Sequence, residues 1–254
     1  MSLFYYIFIF LLGLIAGSFL NCVIYRLENN RGFLTGRSFC PKCKHVLAWY
    51  DLIPVFSFLA LMGRCRYCRK KISWQYPLVE LVTGLLFFLM FWHFGFGIHL
   101  VFGFLILPFL VVIFVYDLKH YLIPDKIIYP AIVLALILGF TKSPLILGDF
   151  VNPLISAIGA AAFFGAIVLV SRGKWMGVGD IKLAFFMGLV LGWPNILVAL
   201  FFAFFAGAII GLGLVSVKRK SFKSEVPFGP FLVSGTLAAM FYGQGLINWY
   251  LSLF

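Results

Sequence analysis

The chain alternates long apolar runs with short basic links. Apolar stretches cover roughly 3–24, 77–95, 98–117, 126–141, 153–171, 180–193, 195–217 and 230–252. A run of about 20 such residues matches the ~30 Å hydrocarbon thickness of a bilayer. The pattern therefore predicts an all-α membrane protein, a polytopic bundle of about eight transmembrane helices. The run 180–193 is short for that thickness, and Gly188, Gly192 and Pro194 let it kink or begin below the surface. The one sizeable polar piece is 25–76. A segment of about 50 residues cannot bury a large core and needs a metal or disulfides to fold. Within it, the short apolar piece Val55 to Met62 can pack against the membrane face. The expected organisation is a first helix at 1–24, a cytoplasmic segment at 25–76 and a helical bundle at 77–254.

Composition sharpens this picture. The 254 residues are 63% hydrophobic and 19% aromatic, with a mean hydropathy of +1.08, which excludes a soluble globular domain. Lys and Arg number 20 against 8 Asp and Glu. The basic residues lie between the apolar runs, so they report membrane orientation, and no nucleic-acid partner is expected. The links 25–76, 118–126, 172–182 and 218–229 hold every Lys and Arg except Lys142. That asymmetry predicts that all four face the cytoplasm and that both termini face outward. The start of the chain has neither a basic n-region nor a small-residue cleavage site, so Leu3 to Val23 is expected to be a retained helix.

Four of the five cysteines form two pairs, Cys40-Pro-Lys-Cys43 and Cys65-Arg-Tyr-Cys68, with 21 residues between them. This spacing is close to that of a zinc ribbon, in which two knuckles each supply two thiolates to a tetrahedral site. Disulfides or redox dithiols are the alternatives, and a cytoplasmic location argues against stable disulfides. Four sulfurs leave no open position, so a zinc ion here is expected to be structural. Cys22 lies inside the first run and reads as a packing residue.

The acids carry the candidate chemistry. Glu28, Asp51, Asp149 and Glu225 read as solvated loop residues, and Asp125 as the cap of the helix that follows it. Glu80 lies in the first turns of the second run, where the helix dipole favours an anion. Asp117 and Asp180 are harder to account for. An acid at the edge of the hydrocarbon is a functional candidate, and these two fall on one membrane face although 63 positions separate them. A helix C-terminus is a poor place for the anion of Asp117. Asp180 follows Gly177-Val178-Gly179, and the two glycines permit close approach of an extended substrate backbone. Two neighbouring carboxylates that share a proton are the requirement for aspartyl-type hydrolysis.

Tyr116-Asp117 together with Gly177-Val178-Gly179-Asp180 resembles the GxGD aspartyl proteases of membranes. The fuller set resembles one branch, the type IV prepilin peptidases, over nearly the whole chain. It consists of Gly17 to Arg26, the two cysteine pairs, Tyr76 to Leu81, Asp117 through Asp125, Gly177 to Leu183, and Pro227-Phe228-Gly229-Pro230-Phe231-Leu232. Cys22 departs from the aliphatic residue frequent in that family. The resemblance implies cleavage of the basic leader of prepilins or pseudopilins at the cytoplasmic face of the bacterial inner membrane, with Asp117 and Asp180 as the catalytic pair. It also implies methylation of the new N-terminus by S-adenosylmethionine, and a place beside pilus or type II secretion components. No glycine-rich nucleotide fingerprint follows a strand, so a methyl-donor site would be non-Rossmann, with Glu80 as its candidate residue. Two other readings stand beside this one: a non-catalytic zinc-bearing scaffold, and a proton-coupled transporter using Asp117 and Asp180. The transporter would require mid-membrane acids and internal repeats, which the sequence does not present.

Overall fold

The computed structural model describes residues 3–29, 32, 36–142, 147–216 and 226–253; Glu225 and the basic residues 218–223 lie outside these, as do the side chains of Lys142 and Asp149. Among the described residues 76% are helical and none lies in a strand. The chain divides into two compact units, Met1–Val112 and Ile113–Phe254.

The first unit holds α1 (Leu3–Glu28), a 3-10 turn (Trp49–Leu52), the short α2 (Phe56–Ala60), α3 (Gln75–Phe94) and the start of α4 (Ile98–His120). Helices α1 and α3 pack closely because small residues line the seam, as membrane helices require where no hydrophobic force drives them together. A Cβ on Gly13 would fall 2.8 Å from Gly84 Cα, and one on Gly17 would fall 2.7 Å from Glu80 Cα. Beyond that seam, Phe87 stacks on Phe104 with ring centroids 4.3 Å apart.

The second unit holds the end of α4, α5 (Asp125–Lys142), α6 (Leu147–Ser171), α7 (Val178–Leu191), α8 (Asn195–Ser216) and α9 (Gly229–Leu251). Helix α7 is central, packing on α5, α6, α8 and α9. Gly188 lets α7 press against the backbone of Ala157 on α6, and Gly235 does the same for α9 against Ala199 on α8. Leu183, Phe186 and Met187 of α7 are fully buried. Helix α7 stops at Gly192, whose φ of +66° is available to glycine without strain.

The eight expected runs coincide with α1 and α3 to α9. Six of these helices are long and apolar enough to cross a membrane. Among the described residues the two that fall short are α5 and α7. Helix α5 has Asp125, Lys126 and Lys142 within its 18 residues, and α7 has only 14. At 1.5 Å per residue, α7 covers ~21 Å of the ~30 Å core.

Candidate active site and metal centre

Asp117 lies in the last turn of α4, which runs on to His120. The sequence placed this acid at an unfavourable helix end, and the second unit compensates. The Gly229 amide, at the first residue of α9, donates to Asp117 Oδ2 at 3.0 Å. The anion therefore meets the positive end of a second helix. A side chain at 229 has no room, since a Cβ there would fall 2.5 Å from the same oxygen.

Asp180 occupies the first turn of α7. Its Oδ2 accepts from the Gly177 amide at 3.1 Å, while its own amide donates to the Gly177 carbonyl at 3.1 Å. The residue thus closes the turn from inside the helix and is not the capping residue itself. Both acids are buried, at 4% and 9% exposure, and the charge of Asp117 is near enough to act on Asp180. Each anion is supported by a helix N-terminus, its own for Asp180 and a borrowed one for Asp117. Two buried carboxylates that feel each other's charge would resist simultaneous ionisation.

The two glycines before Asp180 differ in surroundings. A Cβ on Gly177 would meet nothing nearer than 3.8 Å, whereas one on Gly179 would fall 3.2 Å from Ile123 Cβ. Gly179 seats α7 on the link between α4 and α5. A second fastening lies beside it: Lys182 Nζ donates to Asp125 Oδ1 at 2.6 Å and lies 4.9 Å above the Tyr129 ring. Asp125 was expected to cap α5, but α5 begins at Asp125 itself and the Pro124 carbonyl accepts the Ile127 and Ile128 amides. Its carboxylate is turned to Lys182 instead.

The four paired cysteines come together in the first unit. Their ligand atoms lie within 4.8 Å of one another and could hold a metal ion, and all are free thiols. Two matching turns build the cluster. The Cys40 amide donates to His45 O and the Lys44 amide to Cys40 O; 25 positions later, the Cys65 amide donates to Lys70 O and the Arg69 amide to Cys65 O. Lys44 and Arg69 take the same left-handed conformation, at φ 61° and 56°. These are the two knuckles that the cysteine spacing predicts, and each carries a basic residue directly after its second cysteine. Burial would push the Cys40 thiol up, but the amides of Cys43 and Lys42 outweigh it and hold the thiol at about 7. Tetrahedral zinc with ~2.3 Å bonds puts its sulfurs ~3.8 Å apart, and Cys40 Sγ and Cys68 Sγ are 3.9 Å apart.

Asp51, expected to be solvated, is structural. Its side chain is 3% exposed and pairs with Arg66 Nε at 2.8 Å, with Tyr67 Oη adding a 3.2 Å bond. It ties the first connecting turn to the second knuckle. Glu80 is also buried. Its Oε2 accepts the Val55 amide at 2.7 Å and the carboxylate accepts the Ser18 hydroxyl. One turn earlier on α3, Tyr76 O accepts Asn21 Nδ2 at 2.9 Å, while the buried Asn21 Oδ1 has no partner.

The sequence search did not single out Gly229 as a site residue. The signal was present in Pro227-Phe228-Gly229-Pro230, where Pro230 starts a helix and the glycine before it leaves room for a buried acid.

Comparison with known proteins agrees with both units. Residues 11–94 match the Bacterial Peptidase A24 N-terminal domain and residues 104–212 match the Type IV leader peptidase family. The prepilin leader peptidase/N-methyltransferase of Legionella pneumophila is 34% identical, over 98% of this chain and 95% of its own length. The Bacillus subtilis protein of that name is 32% identical, over 96% of this chain and 97% of its own length. The Myxococcus xanthus protein is 39% identical, over 81% of this chain and 62% of its own length. No solved structure matches. The chain thus belongs to the type IV leader peptidase family.

Proposed function

We propose that this protein is a membrane aspartyl endopeptidase that removes the basic leader of type IV prepilins or pseudopilins at the cytoplasmic face of the bacterial inner membrane. Asp117 and Asp180 are the catalytic pair. The observation that carries this reading is two buried carboxylates in one unit, each held by a single backbone amide. One keeps a proton because both cannot ionise cheaply. The ionised member takes a proton from water as the water attacks the scissile carbonyl. The protonated member donates a hydrogen bond to the carbonyl oxygen and then a proton to the leaving amine. Gly177 and Gly179 form the substrate-approach loop, with Gly177 on the open side.

Cys40, Cys43, Cys65 and Cys68 hold a structural zinc ion. Four cysteine sulfurs within 4.8 Å of one another fit that ion and would leave it no position for water. The same chain methylates the new N-terminus, as the names of its relatives state for them. A methyl donor with a sulfonium charge fits a buried carboxylate, and Glu80 supplies one where α3 meets segment 36–76. Pilus or type II secretion components are the expected assembly partners. Incubation of the purified protein with a prepilin, followed by mass spectrometry of the product, tests the proposal. A product lacking its leader supports it, and an added methyl group supports both activities. An intact prepilin would leave the scaffold reading.

A further inference from the structure

Helix α2 presents an apolar side that no described residue covers. Phe56 and Leu59 are three positions apart and share a face of the helix. Phe56 is 67% exposed, and the neighbouring Trp49 and Met62 are 78% and 86% exposed. The opposite side is anchored: Phe58 is buried, packs at a tilt against Trp74 with ring centroids 5.0 Å apart and lies under Gly63. Ser57 Oγ donates to Tyr50 O at 2.7 Å, which holds α2 against the preceding 3-10 turn.

The level of α2 along α3 follows from one hydrogen bond. The amide of Val55, just before α2, donates to Glu80 Oε2 at 2.7 Å. Val55 keeps φ at 59°, a positive value unusual for a β-branched residue, so this bond and the packing behind it hold the entry to α2 in place. Glu80 lies five residues into α3, which starts at Gln75. That is ~7.5 Å of rise below the helix start. The headgroup layer on each side of a bilayer is about 5–8 Å thick. With Gln75 set at the outer edge of the headgroup layer, the exposed side of α2 falls at the level of the headgroups and the first acyl carbons.

Charge selects the occupant. Residues 36–76 contain eight Lys and Arg against one acid, Asp51, and Arg66 already occupies that acid. All eight basic residues are exposed. A second copy would bring the same positive charge and be repelled, whereas anionic headgroups attract each such residue. Tryptophans at the edge of an apolar face are the usual residues of that boundary.

We propose that Phe56, Leu59 and Met62, flanked by Trp49 and Trp74, form an interfacial anchor that seats the cysteine-bearing segment on anionic lipid of the bilayer crossed by α1 and α3. The anchor rests on those spans and not on the peptidase reading. Lipid gathered there would also shield the basic face from a basic leader.

The test uses the full chain in phosphatidylcholine nanodiscs, with and without phosphatidylglycerol, carrying lipids brominated close to the headgroup. The difference in fluorescence between the natural protein and Trp49→Phe isolates Trp49. Its emission should fall by roughly half, as expected for a ring ~5–10 Å into the boundary, and should fall further with phosphatidylglycerol. Phe56→Glu/Leu59→Glu, made in both backgrounds, should return Trp49 to the emission of a water-exposed ring while metal content is retained. If that variant loses its metal, Lys70→Gln/Lys71→Gln should abolish the response to phosphatidylglycerol. Unquenched Trp49 in both lipids would overturn the anchor. Quenching indifferent to phosphatidylglycerol would overturn the anionic selectivity. Cross-linking of Met62→Cys to a second copy, without quenching, would assign the face to a protein partner.

Discussion

The Gly229 amide hydrogen-bonds Asp117 across 112 positions of chain, and the same residue leaves no room for a Cβ beside that carboxylate. The start of α9 thus supports the charge of Asp117 and fixes where its oxygens lie. Helix α9 is a part of the site that contributes backbone and no titratable group.

Gly229→Ala should consequently behave as an active-site lesion. A methyl group 2.5 Å from Asp117 Oδ2 must displace the carboxylate or the helix. A misplacement of ~1 Å costs about 100-fold in rate. The kcat for prepilin cleavage should fall by about that factor while the protein still inserts and retains its metal. Activity within a few-fold of the natural protein would show that Asp117 does not depend on α9.

Asp117→Asn and Asp180→Asn should each abolish cleavage without loss of insertion, because neither amide can act as the base or supply the shared proton. Both substitutions preserve shape and an acceptor for the Gly229 or Gly177 amide. A folding defect is therefore a poor explanation for a dead variant. Substantial peptidase activity in either would remove the dyad.

Asp125→Asn provides the contrast. Its carboxylate pairs with Lys182 but its side chain is 60% exposed, and exposed pairs contribute ~0–1 kcal/mol. Cleavage should stay within about fivefold of the natural rate, a change of ~1 kcal/mol. A loss as deep as that of Asp117→Asn would make Asp125 part of the chemistry.

What the sequence made legible is the set of features carried by local chemistry. Apolar runs located α1 and α3 to α9 within a few residues. The spacing of the cysteines located the four-thiol cluster that could hold a metal ion, and acids at the ends of apolar runs were singled out because charge is costly there. Individual hydrogen bonds and ion pairs between distant segments were not legible. Asp51 looks solvated among its neighbours, yet Arg66 and Tyr67 cover it from 15 and 16 positions away. Nothing local to Val55 indicates that a carboxylate 25 positions later fixes its amide. The role of Asp125 depended likewise on Lys182, which is 57 positions away.

The metal centre yields a prediction that separates structure from chemistry. Purified protein should contain about one zinc per chain, bound by four sulfurs. Cys40→Ser or Cys65→Ser removes a buried ligand, and either should lose the metal and loosen segment 36–76 in hydrogen exchange. In the proposed mechanism the dyad does not use the ion, so cleavage should decline only as far as the fold of the first unit does. Cleavage lost on chelation while exchange in 36–76 remained unchanged would give the metal a direct part in the reaction.

Glu80 tests whether the two activities part company. Glu80→Gln keeps an oxygen for the Val55 amide, and its NH2 can donate to the Ser18 hydroxyl, so the α1–α3 seam should hold. It removes the negative charge that would favour a sulfonium. The charge contribution at a partly buried site is of order a few kcal/mol, as for unit charges ~4 Å apart at an effective dielectric of 20. Methylation of a pre-cleaved pilin should therefore fall by more than about tenfold. Cleavage of a prepilin should stay near normal, because the dyad belongs to the other unit. Equal loss of both activities with reduced yield would mean that Glu80 acts only through Val55 as a fastening for the segment. Full methylation would move the donor site elsewhere.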